Sequence, residues 1–248
     1  MVQCVFLFIL FLASTLSATE VDRLLTEYSS IKTVSCQIRR TVSGNDGNVQ
    51  FASRIYWQND NRLHVENLSP IPRRIISDGT TFFSYAQGDP KGFSRPVSAL
   101  SDEMLMSLHK IPGTAMDHLL RLKGHDEQLL DPAEGMSRTA YITANNYVVL
   151  RFDNLTRLIA IDFFKSPDMT VKTASYHYSD FSEAAPGVWI PLLHEATLSL
   201  ENGKTFSETV HIDRFIANQP VAVSLFNPTA FFDKEVDFVD SFAKIYSE

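Results

Sequence analysis

The residues with the widest chemical reach are seven histidines, His64, His109, His118, His125, His177, His194 and His211. An imidazole binds a metal or relays a proton only when partner groups stand beside it. The best-placed set is "HIDRF", where strand alternation puts His211 and Asp213 on one face. Joined by His177, they would form a histidine-based metal or hydrolytic site. "HEATL" at 194–198 opens like a zinc-protease helix but has no second histidine. C-x-x-C, G-x-S-x-G, Walker and G-x-G-x-x-G patterns are all missing. Scattered strand histidines of this kind are the ordinary content of a surface or a satisfied core, so no catalytic residue, metal site or cofactor is expected. Cys36, in "TVSCQIRR", shares a strand face with Val34 and Ile38 and reads as a buried structural thiol.

The residue type in excess is instead phenylalanine, with 18 Phe against 2 Trp and 8 Tyr. In a chain of 248 residues this implies a large apolar interior or an apolar cavity. The stretch "RRIISDGTTFFSYAQGD", 73–89, concentrates the question. It reads as two strands around a turn at Ser77–Thr80, and its adjacent Phe82 and Phe83 put aromatic bulk on both faces of a sheet. The composition is globular, 44% hydrophobic and 21% charged. A formal charge of −7 provides no general attraction to phosphate backbones or anionic bilayers, so nucleic acid is not an expected partner.

The elements that must position these residues follow from period and punctuation. "VFLFILFLA", 5–13, is apolar but too short to span a bilayer, and "STLSA" ends in a small residue. Residues 1–18 therefore read as a signal peptide of an exported protein, leaving Cys36 alone in a single domain over 19–248. Val21, Leu24, Leu25, Tyr28 and Ile31 recur at helical spacing. Five short strands follow, then a helical insertion over 97–124 whose first helix starts at Ser101 and whose last stops at Gly124. Six more strands follow, and Val236, Val239, Ala243 and Tyr246 predict a C-terminal helix. About eleven antiparallel strands in one sheet must curl or close, and a curved sheet has a concave side to fill. The helical segments are the available fillers.

In this arrangement the sequence resembles the LolA-type periplasmic lipoprotein carriers and their wider superfamily of lipoprotein-sorting proteins. Three stretches carry the likeness: "VDRLLTEYSSIKTVSCQIRR"; "PIPRRIISDGTTFFSYAQGD"; and "GVWIPLLHEATL" with "HIDRFIANQPVAVSLFNP". The family has a basic residue followed by Pro before its third strand, where this chain reads "WQNDNRLHVE", with Arg62 about three positions late and no Pro. The resemblance implies an open antiparallel half-barrel of about eleven strands lidded by helices. It also implies a monomeric, non-catalytic periplasmic carrier that takes lipoprotein acyl chains from an inner-membrane donor complex to an outer-membrane acceptor. Strand alternation then nominates Ile55, Trp57, Leu63, Val65, Ile76, Phe83 and Tyr85 as cavity lining, with Leu105, Met106 and Leu120 from the insertion. Phe82 is expected on the outer face. The same positions could equally fill an ordinary core. The alternatives are a free-lipid shuttle, a lipid-sensing module of the same fold, and a hydrolase built on His177 and His211.

Overall fold

The computed structural model describes residues 18–44, 47–200 and 203–247, so the signal-peptide reading lies outside the described residues except for Ala18. The chain opens with α1 (Glu20–Tyr28), followed by β1 (Thr33–Gly44), β2 (Gly47–Gln58), β3 (Arg62–Ser69), β4 (Arg73–Asp78), β5 (Thr81–Ala86) and β6 (Gly92–Pro96). The insertion forms α2 (Asp102–His109) and α3 (Met116–Leu122). Then come β7 (Glu127–Ala133), β8 (Met136–Ile142), β9 (Tyr147–Phe152), β10 (Leu158–Phe164), β11 (Lys172–Ala185), β12 (Val188–Ser199), β13 (Thr205–Ala217) and β14 (Phe238–Val239).

Among the described residues, these fourteen strands make one open sheet, in the order β14-β6-β5-β4-β3-β2-β1-β13-β12-β11-β10-β9-β8-β7. Each meander is local, and the two halves meet where β1 pairs antiparallel with β13. The sheet exceeds the expected eleven or so strands by β6, β7 and β14, each short or interrupted. Pro132 inside β7 is tolerated because β7 is an edge strand.

The helices start and stop where their caps require. Thr19 Oγ1 accepts from the Asp22 backbone N–H at 3.1 Å, and Ser101 Oγ accepts from that of Met104 at 3.4 Å. Gly124, at φ +82°, follows the end of α3 as expected. The amphipathic α1 buries Val21, Leu24 and Tyr28 and packs on α3. Glu127 ties its N-terminus to β7, its Oε1 accepting from the Glu20 backbone N–H at 3.0 Å and the Tyr141 hydroxyl at 2.6 Å. Leu24, Leu108, Leu119 and Leu122 from the helices join Val34, Trp57, Leu150, Ile161 and Ile190 from the sheet in one core on the concave side.

The expected C-terminal helix does not form. Residues 223–247 run as a strap of short 3-10 turns around the two-residue strand β14, which pairs parallel with β6. The reason is that strand β6 needs an edge partner and the convex face of β4–β6 is aromatic. Phe238 meets Phe83 edge-to-face at 5.4 Å between centroids, and Phe232 lies 6.2 Å from Phe83 and 6.4 Å from Tyr85. Past the edge, Phe242 stacks on Phe93 at 4.2 Å, and Ile245 is buried in the main core. The apolar positions read as a helical stripe are thus spread over the rim of a sheet.

The strap approaches so closely that a Cβ on Gly92 would stand 2.5 Å from the Phe238 ring. Gly92→Ala should therefore destabilise the fold by about 1–3 kcal/mol through overpacking. In a chemical-denaturation cycle, Gly92→Ala and Phe238→Ala should be strongly non-additive, because the second removes the ring that the first collides with. Additive losses would show that the contact is not made.

Candidate functional site

The helices do not fill the whole concave side. Between sheet and insertion lies an apolar cavity of about 610 Å³. Its floor is Ile38 of β1, Ile55 of β2, Leu63 and Val65 of β3, Ile75 of β4, Phe82 of β5, and Val210 and Ile212 of β13. Its roof is Met104 and Ser107 of α2 together with the loop 110–114. That loop touches the sheet only because residue 113 is glycine. At φ +84°, any Cβ there would sit 2.8 Å from Ile212 Cδ1 and 3.1 Å from Ile190 Cγ2.

Two hydrogen bonds pin the C-terminal end of α2 to the rim. The Trp57 indole N–H donates to the Leu108 carbonyl at 2.7 Å, and His109 Nε2 stands 2.9 Å from Asn61 Oδ1 in the β2–β3 turn. This is the turn in which the family's Arg-Pro pair is missing. Here Arg62 stays on the rim, its Nε donating to the Asp78 carbonyl at 3.4 Å.

Two further pockets adjoin the cavity, a polar neck of about 240 Å³ and, beyond it, a third lobe of about 400 Å³. Lys110, Thr114, His194, Glu208 and Val210 are common walls of the first two, and His118 and Tyr176 of the second and third. In the neck Lys110 pairs with Asp117 at 3.1 Å, and Glu208, shared with the apolar cavity, pairs at 2.7 Å with Arg40 on that cavity's wall. His118 packs against Tyr176 at 4.3 Å between centroids. His194 donates from Nε2 to the Pro191 carbonyl at 3.2 Å, and burial pushes its pKa down to about 4. Burial also lowers the pKa of His118 and raises that of Tyr178 well above the usual phenol range. Both imidazoles and the phenol are therefore neutral near pH 7.

Of the ten positions nominated from the sequence, Ile55, Leu63 and Val65 line the cavity. Trp57 is buried beneath α2 and serves as its anchor. Leu105 packs into the core, while Met106 and Leu120 are half-buried and line none of these lobes. Ile76, Phe83 and Tyr85 lie on the opposite, convex face, and Phe82 lies in the cavity, the reverse of the expected facing. The register explains this. Val65 pairs with Ile75 rather than Ile76, and Ser77 pairs with Phe82, so the cavity face passes to the even positions of β5. Ile75-Ile76 and Phe82-Phe83 are apolar at both parities, so alternation alone could not choose. Missed altogether were Ile38, Met104, His194, Val210 and Ile212. The first and the last two carry the same alternation signal along β1 and β13.

The histidine site is not assembled. His177 and His211 are both exposed, on β11 and β13, with β12 between them. Asp213 is held by Arg39 at 2.7 and 3.2 Å. No group of three or more His, Cys, Asp or Glu able to hold a metal occurs among the described residues. Cys36 is buried, and its burial pushes the thiol pKa up to about 12, which makes it a poor nucleophile.

An open antiparallel sheet curved around a helix-roofed apolar cavity defines the class of open half-barrels, and comparison with solved structures shows that this one has a LolA-like fold. A LolA superfamily protein from Nitrosomonas europaea superposes with a TM-score of 0.52 at 12% identity, covering 85% of this chain and 98% of that one. A DUF1329 family protein from Desulfovibrio piger gives 0.54 at 10% identity, covering 85% and 95%. A structure described as an outer membrane lipoprotein-sorting protein domain, from Vibrio parahaemolyticus, gives 0.53 at 9% identity, covering 84% and 94%. No family model and no curated protein sequence matches the chain. No helix among the described residues is long and apolar enough to cross a membrane.

The half-buried His194 makes stability depend on pH. Its unfolded imidazole takes up a proton near pH 6.5 and the folded one only near pH 4. Between these values the unfolded chain binds more protons, so stability falls as the pH drops through this window, by up to about 3 kcal/mol for this group. His194→Asn should flatten the decline in Tm between about pH 6.5 and 4. An unchanged slope would place the imidazole in solvent. Trp57→Phe removes the donor to Leu108 and should cost about 1–2 kcal/mol. The α2 amides should then exchange faster while those of β9 and β10 do not.

Proposed function

We propose that this protein is a non-catalytic carrier, working in the periplasm, that holds the acyl chains of a lipoprotein in the cavity between sheet and insertion. The carrier takes its cargo from an inner-membrane donor and yields it to an outer-membrane acceptor. The single observation behind this reading is the cavity itself. Its floor is aliphatic and aromatic, it is large enough for acyl chain, and its roof is fixed to the rim at one end by Trp57 and His109. The shared fold with a lipoprotein-sorting domain supports the cargo class, and the apolar run at 5–13 supports export.

The physics suits reversible carriage. Each methylene withdrawn from water contributes roughly 0.8 kcal/mol, so affinity grows with chain length and needs no specific polar contact. Release requires that the acceptor offer more, which a partly open, helix-roofed cavity permits. Met104 in the roof adds an unbranched, adaptable wall.

Native mass spectrometry of the protein purified from its own periplasm should show an adduct in the lipid or acyl-peptide range that denaturation releases. Val65→Phe fills the floor from a half-buried position and should reduce lipopeptide uptake at least about tenfold, for a stability cost within about 1–3 kcal/mol. A protein that carries no adduct and takes up neither lipopeptide nor fatty acid would sink the reading.

A further inference from the structure

The neck between the lobes has a charge pattern that constrains what can sit there. Its one cation, Lys110, already faces Asp117, and Arg40, on the wall of the adjoining apolar cavity, faces the shared Glu208. The other polar side chains in its walls are uncharged near pH 7: the His118 and His194 imidazoles, the Tyr176 and Tyr178 phenols and the Thr114 hydroxyl. The next charged wall group, Arg121, is in the third lobe. An amphiphile with its chain in the apolar cavity brings its polar end to the walls that cavity and neck share, Lys110, Thr114, His194 and Glu208.

We propose that this charge-paired neck makes the cavity selective for amphiphiles whose polar junction is uncharged and hydrogen-bonding, such as an ester or a glyceryl ether, and that it discriminates against anionic headgroups. The inference rests on the carrier reading and specifies its ligand. A carboxylate or phosphate entering the neck finds no unpaired cation and must lie beside Glu208 or Asp117. Desolvating a charge without a partner is far costlier than desolvating a hydroxyl or an ester that finds a hydrogen bond. Glu208 and Asp117 are thus specificity determinants. They neutralise the cations that would otherwise recruit an anion.

The test displaces an uncharged fluorescent dye, N-phenyl-1-naphthylamine, from the purified protein at about pH 8, where a fatty acid is ionised. The competitors are a monoacylglycerol and the fatty acid of the same chain length, both below their critical micelle concentrations. The monoacylglycerol should displace dye at about tenfold lower concentration than the fatty acid, a difference of about 1.4 kcal/mol. Glu208→Gln leaves Arg40 unpaired and Asp117→Asn does the same for Lys110. Each variant should move the ratio about tenfold toward the fatty acid, and the second guards against misfolding of the first. A ratio near one in the unmodified protein overturns the inference, as does a ratio unchanged in both variants, and either result leaves the carrier reading standing. Failure of the dye and both lipids to bind at all overturns the carrier reading, and this inference with it.

Discussion

The structure depends on one constraint, that a large antiparallel sheet which curves without closing has a concave side that water must not wet. Among the described residues three α-helices are supplied for that side, and they cover part of it. Where they reach, the interior is ordinary core, with Val21, Leu24, Leu108 and Leu119 against strand residues. Where they do not, the sheet still presents Ile38, Ile55, Leu63 and Val65, and the space above them is the cavity. Core and cavity are one continuous apolar surface, divided by the position of α2 and the loop that follows it. This is why the anchors of α2 matter: Trp57, buried in the core, sets the height of the roof.

The convex side has the complementary difficulty. Strands β4 and β5 carry Ile76, Phe83 and Tyr85 outward, which would leave an aromatic patch in water. The strap covers it with Phe231, Phe232 and Phe238, then crosses the β6 edge and returns to the core through Ile245. One segment therefore shields a face and blocks an edge. The free edge, β7, is defended differently, by Pro132 and the exposed charge of Asp131.

Much of this could be read from the sequence, and the errors have physical causes. Strand positions were legible because turns such as Ser77–Thr80 punctuate them, and the insertion because Ser101 and Gly124 bracket it. The C-terminal helix was misread because Val236, Val239 and Ala243 fit a helical stripe, while the partner that decides their conformation, the β6 edge, is about 150 residues away and has no local signature. The facing of Phe82 and Phe83 was misread for a related reason. A one-residue slip exchanges the faces of a whole strand, and doubly apolar pairs give alternation nothing to work on. Leu63 and Val65, flanked by polar residues, were placed correctly. The polar neck could not be seen at all, since Lys110, Asp117 and Glu208 come from distant elements and each looks like an ordinary surface charge.

The seam between β1 and β13 bears on how the chain is made. Arg40 pairs with Val210 across it, near opposite ends of the molecule in sequence, while nearly every other pairing joins neighbours along the chain. The two meanders can form early from local contacts, but the central join closes a loop of most of the chain, and contacts of such high order form slowly. A chain that emerges N-terminus first shows β1 as an unpaired edge until its last strands appear. Until then the cavity has only one of its two walls, so it cannot take shape before β13 has been made.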